Sequence, residues 1–478
     1  METESVSASY SSHTGTSTES FEDLFERVNM ILGDAAPTRQ ESPDSDTFVP
    51  RQPLTLKDAG VTYALLERII LRFMFSNSAV TGRRIAAQLR LPWKLTEPLL
   101  KQLRQEKHID LSGTTAAGDS EFILTPTGRE RARQYILESS YFGAAPVPLE
   151  DYATAVALQS PSRLQIRMPD LRRAFRSLVL SDQILERLGP AIKAGRGLFL
   201  YGNSGNGKTS IAERISEAFG STIWSPRSVA VEGDIIRIFD PRVHTEIDDS
   251  TAGSGLLDSQ DIDRRWVRIR RPTIVAGGEL TMNELELQLN PTSRVCEAPL
   301  QVKSNCGTLV IDDFGRQRMP IDELLNRWII PLERRYDFLN TPSGKKVRFP
   351  FDLLMVFSTN IEPHELVDGA FLRRIPYKIE ISDPSEAEFR QLFESVSRAM
   401  NVPIDDSTMD YLLARHYREA ERPMRCCHAR DLLLQVQNYC QFHDTPIRAT
   451  REAIDAAVVN YFAITAPART GRINVSRN

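Results

Sequence analysis

The stretch Gly202-Asn203-Ser204-Gly205-Asn206-Gly207-Lys208-Thr209 separates a short apolar run, 197–201, from a segment whose apolar residues recur at helical spacing. It fits the pattern G-x-x-x-x-G-K-[ST] in the strand, loop and helix context that a phosphate-binding loop requires. Glycines allow successive backbone N–H groups to point at phosphates, and the N-terminal end of the next helix adds positive charge. We predict that these residues and Ser210 bind a nucleoside triphosphate, with Lys208 at the outer phosphates and Thr209 on Mg²⁺. The alternative is a glycine-rich turn with a chance Lys-Thr pair.

A second apolar run, Thr308-Leu309-Val310-Ile311, ends in the carboxylates Asp312 and Asp313. A buried strand presents its terminal acids at the carboxyl edge of a parallel sheet, which is also where a phosphate loop lies. We therefore predict Asp312 as a metal ligand and Asp313 as the base that activates the attacking water. A strand that ends in a solvated turn is the alternative.

A third apolar run, 353–359, ends at Asn360, whose amide can orient a lytic water. A helix-like segment then ends in Phe371-Leu372-Arg373-Arg374, before an alternating strand, 377–381. Either arginine of the pair Arg373 and Arg374 could act as an arginine finger on the nucleotide of a neighbouring subunit. A solvated basic pair is the other interpretation.

From about residue 171 onward, the order of these parts resembles an AAA+ ATPase. The resemblance implies an α/β fold, with a parallel sheet between helices and a helical lid, that uses ATP and Mg²⁺ and assembles as a hexameric ring. Within the lid, the segment 422–433 resembles the sensor-2 pattern, which implies that Arg430 touches the γ-phosphate. AAA+ strands of the Asp312 type usually end in Asp-Glu. The shorter Asp313 implies either a closer water or slow turnover, and Glu297 and the acids of the long insertion rank below it as bases.

Composition is that of an ordinary globular chain: 478 residues, 41% hydrophobic and 26% charged, with room for about three domains. The five cysteines lack paired C-x-x-C spacing, so neither a disulfide framework nor a zinc site is predicted. Cys426-Cys427-His428 does not suggest a metal site, because adjacent helical residues point to different faces. With neither a spanning apolar stretch nor a signal-like N-terminus, we predict a cytoplasmic protein without membrane insertion.

Residues 1–50 hold ten acids against Arg27 and Arg39, a net charge of −8, and are rich in Ser, Thr and Pro. Such a composition cannot bury a core, so we predict a disordered acidic tail. Within it, apolar residues between 21 and 32 fall at helical spacing. They predict either a transient helix on the chain itself or a docking helix for a partner.

Residues 51–145 are basic, with a net charge of +5. Periodicity predicts helices over 63–75, 81–89, 94–107 and 126–137, and strands over 109–111 and 122–124. This order resembles the winged-helix fold, with Lys94, Lys101, Arg104 and Lys107 on or near the helix that would enter a DNA groove. Winged helices also dock proteins, and both interpretations stay open, with docking or oligomer formation favoured.

The remaining boundaries follow from these segments: an ATPase core over 146–384, with a hairpin insertion at about 225–305, and a helical lid over 385–478. Within the insertion, Ile235-Ile236 and Gly277-Gly278-Glu279-Leu280 are candidates for substrate contact; alternatively, the insertion only extends the sheet. Over 54–470 the chain resembles a bacterial group of predicted AAA+ ATPases with chaperone activity, some of them linked to Flp pilus assembly. This implies a ring-forming ATPase that remodels a protein substrate selected by its N-terminal module or an adaptor. A winged-helix regulator acting on DNA and a slow nucleotide-dependent switch are the alternatives.

Overall fold

The computed structural model describes residues 48–220, 222–247, 262–366 and 369–463. Most of the predicted acidic tail, including its amphipathic segment 21–32, lies outside the described residues. So does most of the polar tract 248–263.

Residues 63–138 form helices and strands in the order that the sequence predicted, and the four predicted helices agree to within two residues at each end. The elements are α1 (Tyr63–Phe75), β1 (Val80–Thr81), α2 (Gly82–Leu89), α3 (Trp93–Gln105), β2 (Ile109–Thr114), β3 (Ser120–Leu124) and α4 (Pro126–Glu138). The strands form an antiparallel sheet in the order β1-β3-β2. Thr62, Thr81 and Thr125 each cap a helix by accepting a hydrogen bond from a first-turn N–H. The apolar faces of these helices pack into a hydrophobic core of their own.

The rest of the described chain mixes strands and helices. The strands are β4 (Val147–Pro148), β5 (Leu198–Tyr201), β6 (Thr222–Pro226), β7 (Ser228–Val231), β8 (Asp234–Arg237), β9 (Trp266–Arg270), β10 (Thr273–Ala276), β11 (Gln288–Leu289), β12 (Cys296–Glu297), β13 (Thr308–Ile311), β14 (Tyr336–Asn340), β15 (Lys346–Pro350), β16 (Leu354–Thr359) and β17 (Tyr377–Glu380). The helices are α5 (Leu149–Leu158), α6 (Met168–Ala174), α7 (Asp182–Ala194), α8 (Lys208–Arg214), α9 (Leu300–Lys303), α10 (Ile321–Arg334), α11 (Pro363–Leu366), α12 (Gly369–Leu372), α13 (Glu386–Met400), α14 (Asp406–Tyr411), α15 (Cys426–Phe442) and α16 (Arg451–Phe462). A π-helical segment, Leu412–Arg418, continues α14.

The central sheet has five parallel strands in the order β10-β13-β16-β5-β17. Successive side chains of a strand point to opposite faces, and β5 shows this directly. Leu198 and Leu200 pack with Ile192 of α7 and Ile211 of α8, whereas Phe199 packs with Trp328 of α10 on the other face. Both faces of the sheet are therefore covered, which explains why β13 and β16 consist of fully buried residues.

Strand β10 lies inside the range 225–305 that the sequence suggested was a single insertion. It pairs with β13 and is therefore an edge strand of the central sheet. In β10, buried Ile274 and Ala276 alternate with the more exposed Thr273 and Val275, so the sequence lacks the continuous apolar run of the inner strands. The inserted residues divide into a part before β10 and a part after it.

A second five-stranded sheet, in the order β11-β12-β8-β7-β4, uses strands from both parts and from the segment that follows the N-terminal helices. Its hairpin β7–β8 turns at Glu232-Gly233. Ile236 of this hairpin is fully buried, and so is Leu280 after β10. These two residues therefore cannot grip a substrate in this conformation, and of the predicted contact candidates Glu279 is the exposed one.

Arg265 connects the N-terminal helices to the rest of the chain. Its guanidinium pairs with Asp263 at 2.8 Å, and the two side chains are only 3% and 4% exposed. Its Nη1 also donates hydrogen bonds to the carbonyl oxygens of Ala59, at 2.6 Å, and Pro146, at 3.1 Å. The buried guanidinium thus connects three segments: the one before α1, at Ala59; the one after α4, at Pro146; and the one before β9, at Asp263.

The lid begins with Ser385, which caps α13 in a reciprocal arrangement with Glu388. Helices α13 to α16 surround their own core, in which Phe389 and Phe393 meet Leu432, Leu433 and other apolar residues. Across the described ranges, no helix has the length and apolarity needed to cross a membrane.

We expect Arg265→Ala to destabilise the protein by about 3 kcal/mol or more, because removing one partner of a buried pair leaves Asp263 charged and unpaired. Thermal unfolding followed by circular dichroism measures the effect as a drop of several degrees in midpoint. Arg264→Ala is the matched control, since Arg264 is exposed. Equal midpoints for the two variants would show that Arg265 does not hold these segments together.

Candidate nucleotide-binding site

The loop between β5 and α8 has the curled backbone that a phosphate cradle needs. Gly202, Gly205 and Gly207 have φ angles of 130°, 88° and 81°, which side chains disfavour. At Gly202 a Cβ would also lie 2.4 Å from the carbonyl oxygen of Ile381. The loop leads into α8, whose first turn contains Lys208, Thr209 and Ser210. The predicted loop residues therefore lie together at the carboxyl end of β5.

Lys208 is 6% exposed, and neutral oxygen atoms surround its ammonium group. Its Nζ donates to the carbonyl oxygens of Gly202 at 3.0 Å and Asn203 at 2.9 Å, and to Oδ1 of Asn360 at 2.6 Å. Burial lowers the pKa of Lys208, and the nearby Asp312 and Asp313 oppose this. Among the described residues, no carboxylate lies within ion-pair distance of Nζ, so the phosphates of a nucleotide fit this site as the missing counter-charge.

Thr209 and Asp312 approach each other from neighbouring elements. The Thr209 hydroxyl donates a hydrogen bond of 2.9 Å to Oδ2 of Asp312, at the end of β13. Hydroxyl and carboxylate oxygens are the ligands that Mg²⁺ prefers, together with water and phosphate oxygens. The pair therefore has the chemistry of a site in which Mg²⁺ contacts both protein and nucleotide.

Asp313 faces Asn360 across the edge of the sheet. Nδ2 of Asn360 donates to Oδ1 of Asp313 at 3.3 Å, while Oδ1 of the same amide accepts from Lys208. Asp313 has a φ of 47°, in the left-handed region. The side chain of Gln317 stabilises this turn by donating to the carbonyl oxygens of Asp312 at 3.0 Å and Asp313 at 3.3 Å. Sequence reasoning gave no role to Gln317, because a glutamine in a polar loop carries no distinctive pattern.

Asp383, which follows β17, is a second residue that the sequence did not assign to the site. Its carboxylate accepts hydrogen bonds from the side-chain amides of Asn203 at 3.1 Å and Asn206 at 2.6 Å. One carboxylate, which follows the last strand of the central sheet, thus binds the side chains of two loop residues. The position of Asp383, a polar residue just after the last strand of the central sheet, could have indicated this role from the sequence.

The lid contacts the loop through the start of α15. Arg425 donates from Nη1 to the carbonyl oxygen of Ser204 at 3.2 Å. The backbone N–H of Cys426 donates to Oδ1 of Asn206 at 3.3 Å, and that of Cys427 to the carbonyl oxygen of Gly205 at 2.8 Å. The loop is therefore bonded directly to the lid.

Arg430, which the sequence resemblance places on the γ-phosphate, lies in α15 on the surface of the lid. Its side chain is 72% exposed and pairs with the adjacent Asp431 at 3.1 Å. Arg425 precedes α15 and reaches the loop, whereas Arg430 lies more than one helical turn further along. Arg425 is thus the lid arginine that contacts the loop, and the role of Arg430 at the γ-phosphate stays a prediction.

The finger candidates lie between α12 and β17. Arg373 is exposed, whereas Arg374 is half-buried and donates from Nε to Glu333 of α10 at 2.6 Å. The structure thus gives Arg374 a partner in its own chain. Neither arginine is among the residues that contact the loop of the same chain in the described structure, and a role in a neighbouring subunit remains a prediction.

A cavity of about 460 Å³ adjoins the loop at Asn206. Residues 179–184 line one side of it, and Asp383, Pro384, Leu392 and Cys426 line another. Polar or charged residues make up nine of its sixteen lining residues, and its volume lies within the range of small-molecule sites.

Together, these features define the class of fold. A glycine-rich loop follows the strand next to one edge of a five-stranded parallel sheet, paired acids end a strand two positions away, and a helical lid closes on the loop. The chain has the P-loop fold of AAA+ ATPases.

Comparisons with known proteins add less detail. A family model described as a domain of unknown function, DUF8689, matches residues 385–460, which correspond to the lid. A search of the curated proteins found no match. Among solved structures, the Thermotoga maritima RuvB Holliday junction branch migration motor is similar at 14% identity and a TM-score of 0.34, over 59% of this chain and 70% of that one. Domain III of the Thermotoga maritima replication initiation protein DnaA is similar at 11% identity and a TM-score of 0.34, over 62% of this chain and 99% of that one. Likenesses this distant carry no argument about activity or partners.

We expect Arg425→Ala to weaken ATP binding about tenfold, because a charged group that contacts the loop is lost. Arg430→Ala, the matched control, should leave the dissociation constant within about twofold, since its guanidinium is paired on the surface. Titration with a fluorescent ATP analogue measures both. If Arg430→Ala weakens binding and Arg425→Ala does not, Arg430 is the lid arginine that contacts the nucleotide.

Proposed function

We propose that this protein is a Mg²⁺-dependent ATPase that assembles as a ring and uses hydrolysis to remodel a protein or protein complex. The observation that carries the proposal is the chain of contacts at the carboxyl edge of the central sheet. Lys208 contacts Asn360, Asn360 contacts Asp313, and Thr209 contacts Asp312. Phosphate binding, metal binding and water activation thus have their side chains within one connected group.

Each residue of this group has a chemical task. Lys208 and the N–H groups of the loop bind the outer phosphates, and Thr209 with Asp312 holds Mg²⁺. The metal, when bound, neutralises charge on the phosphate oxygens. Asp313 accepts a proton from the attacking water, and the amide of Asn360 orients that water. Asn360 contacts both Lys208 and Asp313, so its amide lies between the phosphate-binding ammonium group and the proposed base.

Ring assembly supplies the remaining catalytic group in this proposal. Arg374 lies at the end of the helical segment before β17, and Glu333 holds its guanidinium half-buried. The nucleotide of a neighbouring subunit in a ring would attract the guanidinium away from Glu333, because its phosphates keep a net negative charge after the metal binds. Arg374 would then act in trans on the developing charge.

The N-terminal unit, 51–145, has the element order of a winged helix and is proposed as the substrate-selecting module. In α3, the helix that would enter a DNA groove, Lys101 pairs with Glu97 at 2.8 Å. Arg104 lies 3.6 Å from Asp110. Acids that neutralise this face favour docking to a protein over binding to phosphates. A DNA-associated ATPase is the second candidate, because the unit as a whole remains basic.

Phosphate release from ATP by the purified protein, together with its mass in solution with and without ATP and Mg²⁺, tests the proposal. We expect turnover that needs Mg²⁺ and a nucleotide-dependent ring. Lys208→Ala should lose both, because the phosphates lose their counter-charge. A monomer that binds ATP without releasing phosphate would instead identify a nucleotide-dependent switch, and salt-sensitive binding to duplex DNA would favour the second candidate.

A mixing experiment tests the action of Arg374 between subunits. We expect Arg374→Ala and Asp313→Asn each to bind ATP and to lose turnover at least tenfold. Mixed rings contain interfaces in which an intact Asp313 meets an intact Arg374, so the mixture should recover part of the activity. Arg373→Ala is the control, as its exposed side chain is not assigned the finger role. A mixture that assembles yet stays inactive contradicts action in trans.

A further inference from the structure

A second cavity, of about 730 Å³, lies away from the nucleotide loop, where the N-terminal unit meets the small sheet. Helix α2 contributes one wall, the segment 140–144 that follows α4 contributes another, and residues around β7, β8 and β12 complete it. Of the residues that the sequence analysis named for ATP hydrolysis, only Glu297, a lower-ranked candidate for the base, lines this cavity.

Four arginines line the cavity, and they come from separate parts of the chain. Arg84 and Arg90 lie in and just after α2, and Arg227 and Arg237 flank the β7–β8 hairpin. Arg90 adopts the left-handed conformation that ends α2, with a φ of 57°. Burial lowers the pKa of Arg90, and the like charges of Arg227 and Arg264 act in the same direction. Arg84, Arg90 and Arg237 remain exposed and Arg227 is half-buried, so positive charge is concentrated on the walls of an open cavity.

The nearby acids neutralise only part of this charge. Glu297 lines the cavity and pairs with Arg237, and Glu246 pairs with Arg227 at 2.8 Å. Four guanidinium groups therefore face two carboxylates. The buried Nε of Arg227 has no hydrogen-bond partner among the described residues. A ligand that supplies an acceptor would satisfy this atom. The buried Oε2 of Glu297 also lacks a hydrogen-bond partner among the described residues, and it lies 3.9 Å from Nζ of Lys303.

The remaining walls suit an organic ligand. The Arg227 guanidinium lies 5.2 Å from the centre of the Phe239 ring, and Phe142 presents a ring that is 40% exposed. Both aromatic residues line the cavity. The volume lies within the range of sites for small molecules.

We propose that this cavity binds a small molecule that carries a phosphate group. A phosphate has a charge of about −1.5 to −2 at neutral pH and offers three acceptor oxygens, which matches the two positive charges in excess and the open Nε. Guanidinium groups also bind phosphate in the bidentate geometry that ammonium groups lack. A single carboxylate would leave one of the excess charges unbalanced. The bound ligand bridges the N-terminal unit and the small sheet, and so influences how firmly the substrate-selecting module is held.

The test uses the full chain with Lys208→Ala, so that phosphates cannot bind at the nucleotide loop. Inorganic pyrophosphate is the probe, titrated by calorimetry at constant ionic strength with chloride as the reference anion. We expect saturable binding. Adding Arg227→Gln or Arg90→Asn should weaken it about tenfold to hundredfold, since each removes a charged donor. Asparagine is chosen at position 90 because it tolerates the left-handed conformation.

Arg83→Ala is the matched control, as Arg83 is an exposed arginine next to Arg84 that does not line the cavity. It should leave the affinity unchanged, and unfolding midpoints without probe confirm that each variant is folded. Binding that is absent, or that falls equally with Arg83→Ala, overturns the proposal. Acetate that competes as well as pyrophosphate also overturns it, by identifying a site for any carboxylate. Because Lys208 is already substituted, none of these outcomes depends on whether the protein hydrolyses ATP.

Discussion

The ammonium group of Lys208 is held by oxygen atoms from its own loop and from Asn360, and this constraint organises the carboxyl edge of the central sheet. The contact between Lys208 and Asn360 requires β16 to pair with β5 in parallel register, because Asn360 directly follows β16 and the loop directly follows β5. The same register brings β13 to the other side of β16, so that Asp312 reaches Thr209 and Asp313 reaches Asn360. The apolar strands provide the alignment, and the polar residues after them provide the chemistry. Burial of the Lys208 ammonium group without a carboxylate partner is costly, and a phosphate group would offset that cost.

A second set of contacts ties the loop to the end of the core and to the lid. Asp383 binds the side chains of Asn203 and Asn206, and Asn206 also accepts from the backbone N–H of Cys426. The amide of Asn206 thus contacts the core with its nitrogen and the lid with its oxygen. A phosphate group that displaces Asn206 would change its contacts with Asp383 and with Cys426 at the same time. This gives the lid a short physical route by which to respond to nucleotide, through two hydrogen bonds of one side chain.

Much of the site was predictable because its parts are contiguous in sequence. The loop, the acids after β13 and Asn360 after β16 each combine an apolar run with polar residues at its end, and such patterns are local. The helices of residues 63–138 were predictable for the same reason. What the sequence did not reveal depends on tertiary structure: Asp383 accepts hydrogen bonds from residues far earlier in the chain, and Arg425 of the lid donates one to Ser204 of the loop. Strand β10 escaped notice because an edge strand has one half-exposed face and so lacks the buried pattern.

The small sheet has a consequence for how the chain folds during synthesis. Its strand β4 follows the N-terminal helices immediately, yet its partner β7 comes only after the whole phosphate loop and α8 have been made. The helices of residues 63–138 make mostly local contacts and can fold as soon as they leave the ribosome. The backbone of Val147 stays unpaired until its partner Val229 has left the ribosome. The N-terminal unit therefore becomes attached late, and the interval before β7 appears is the period in which that edge is open to pairing with another nascent chain.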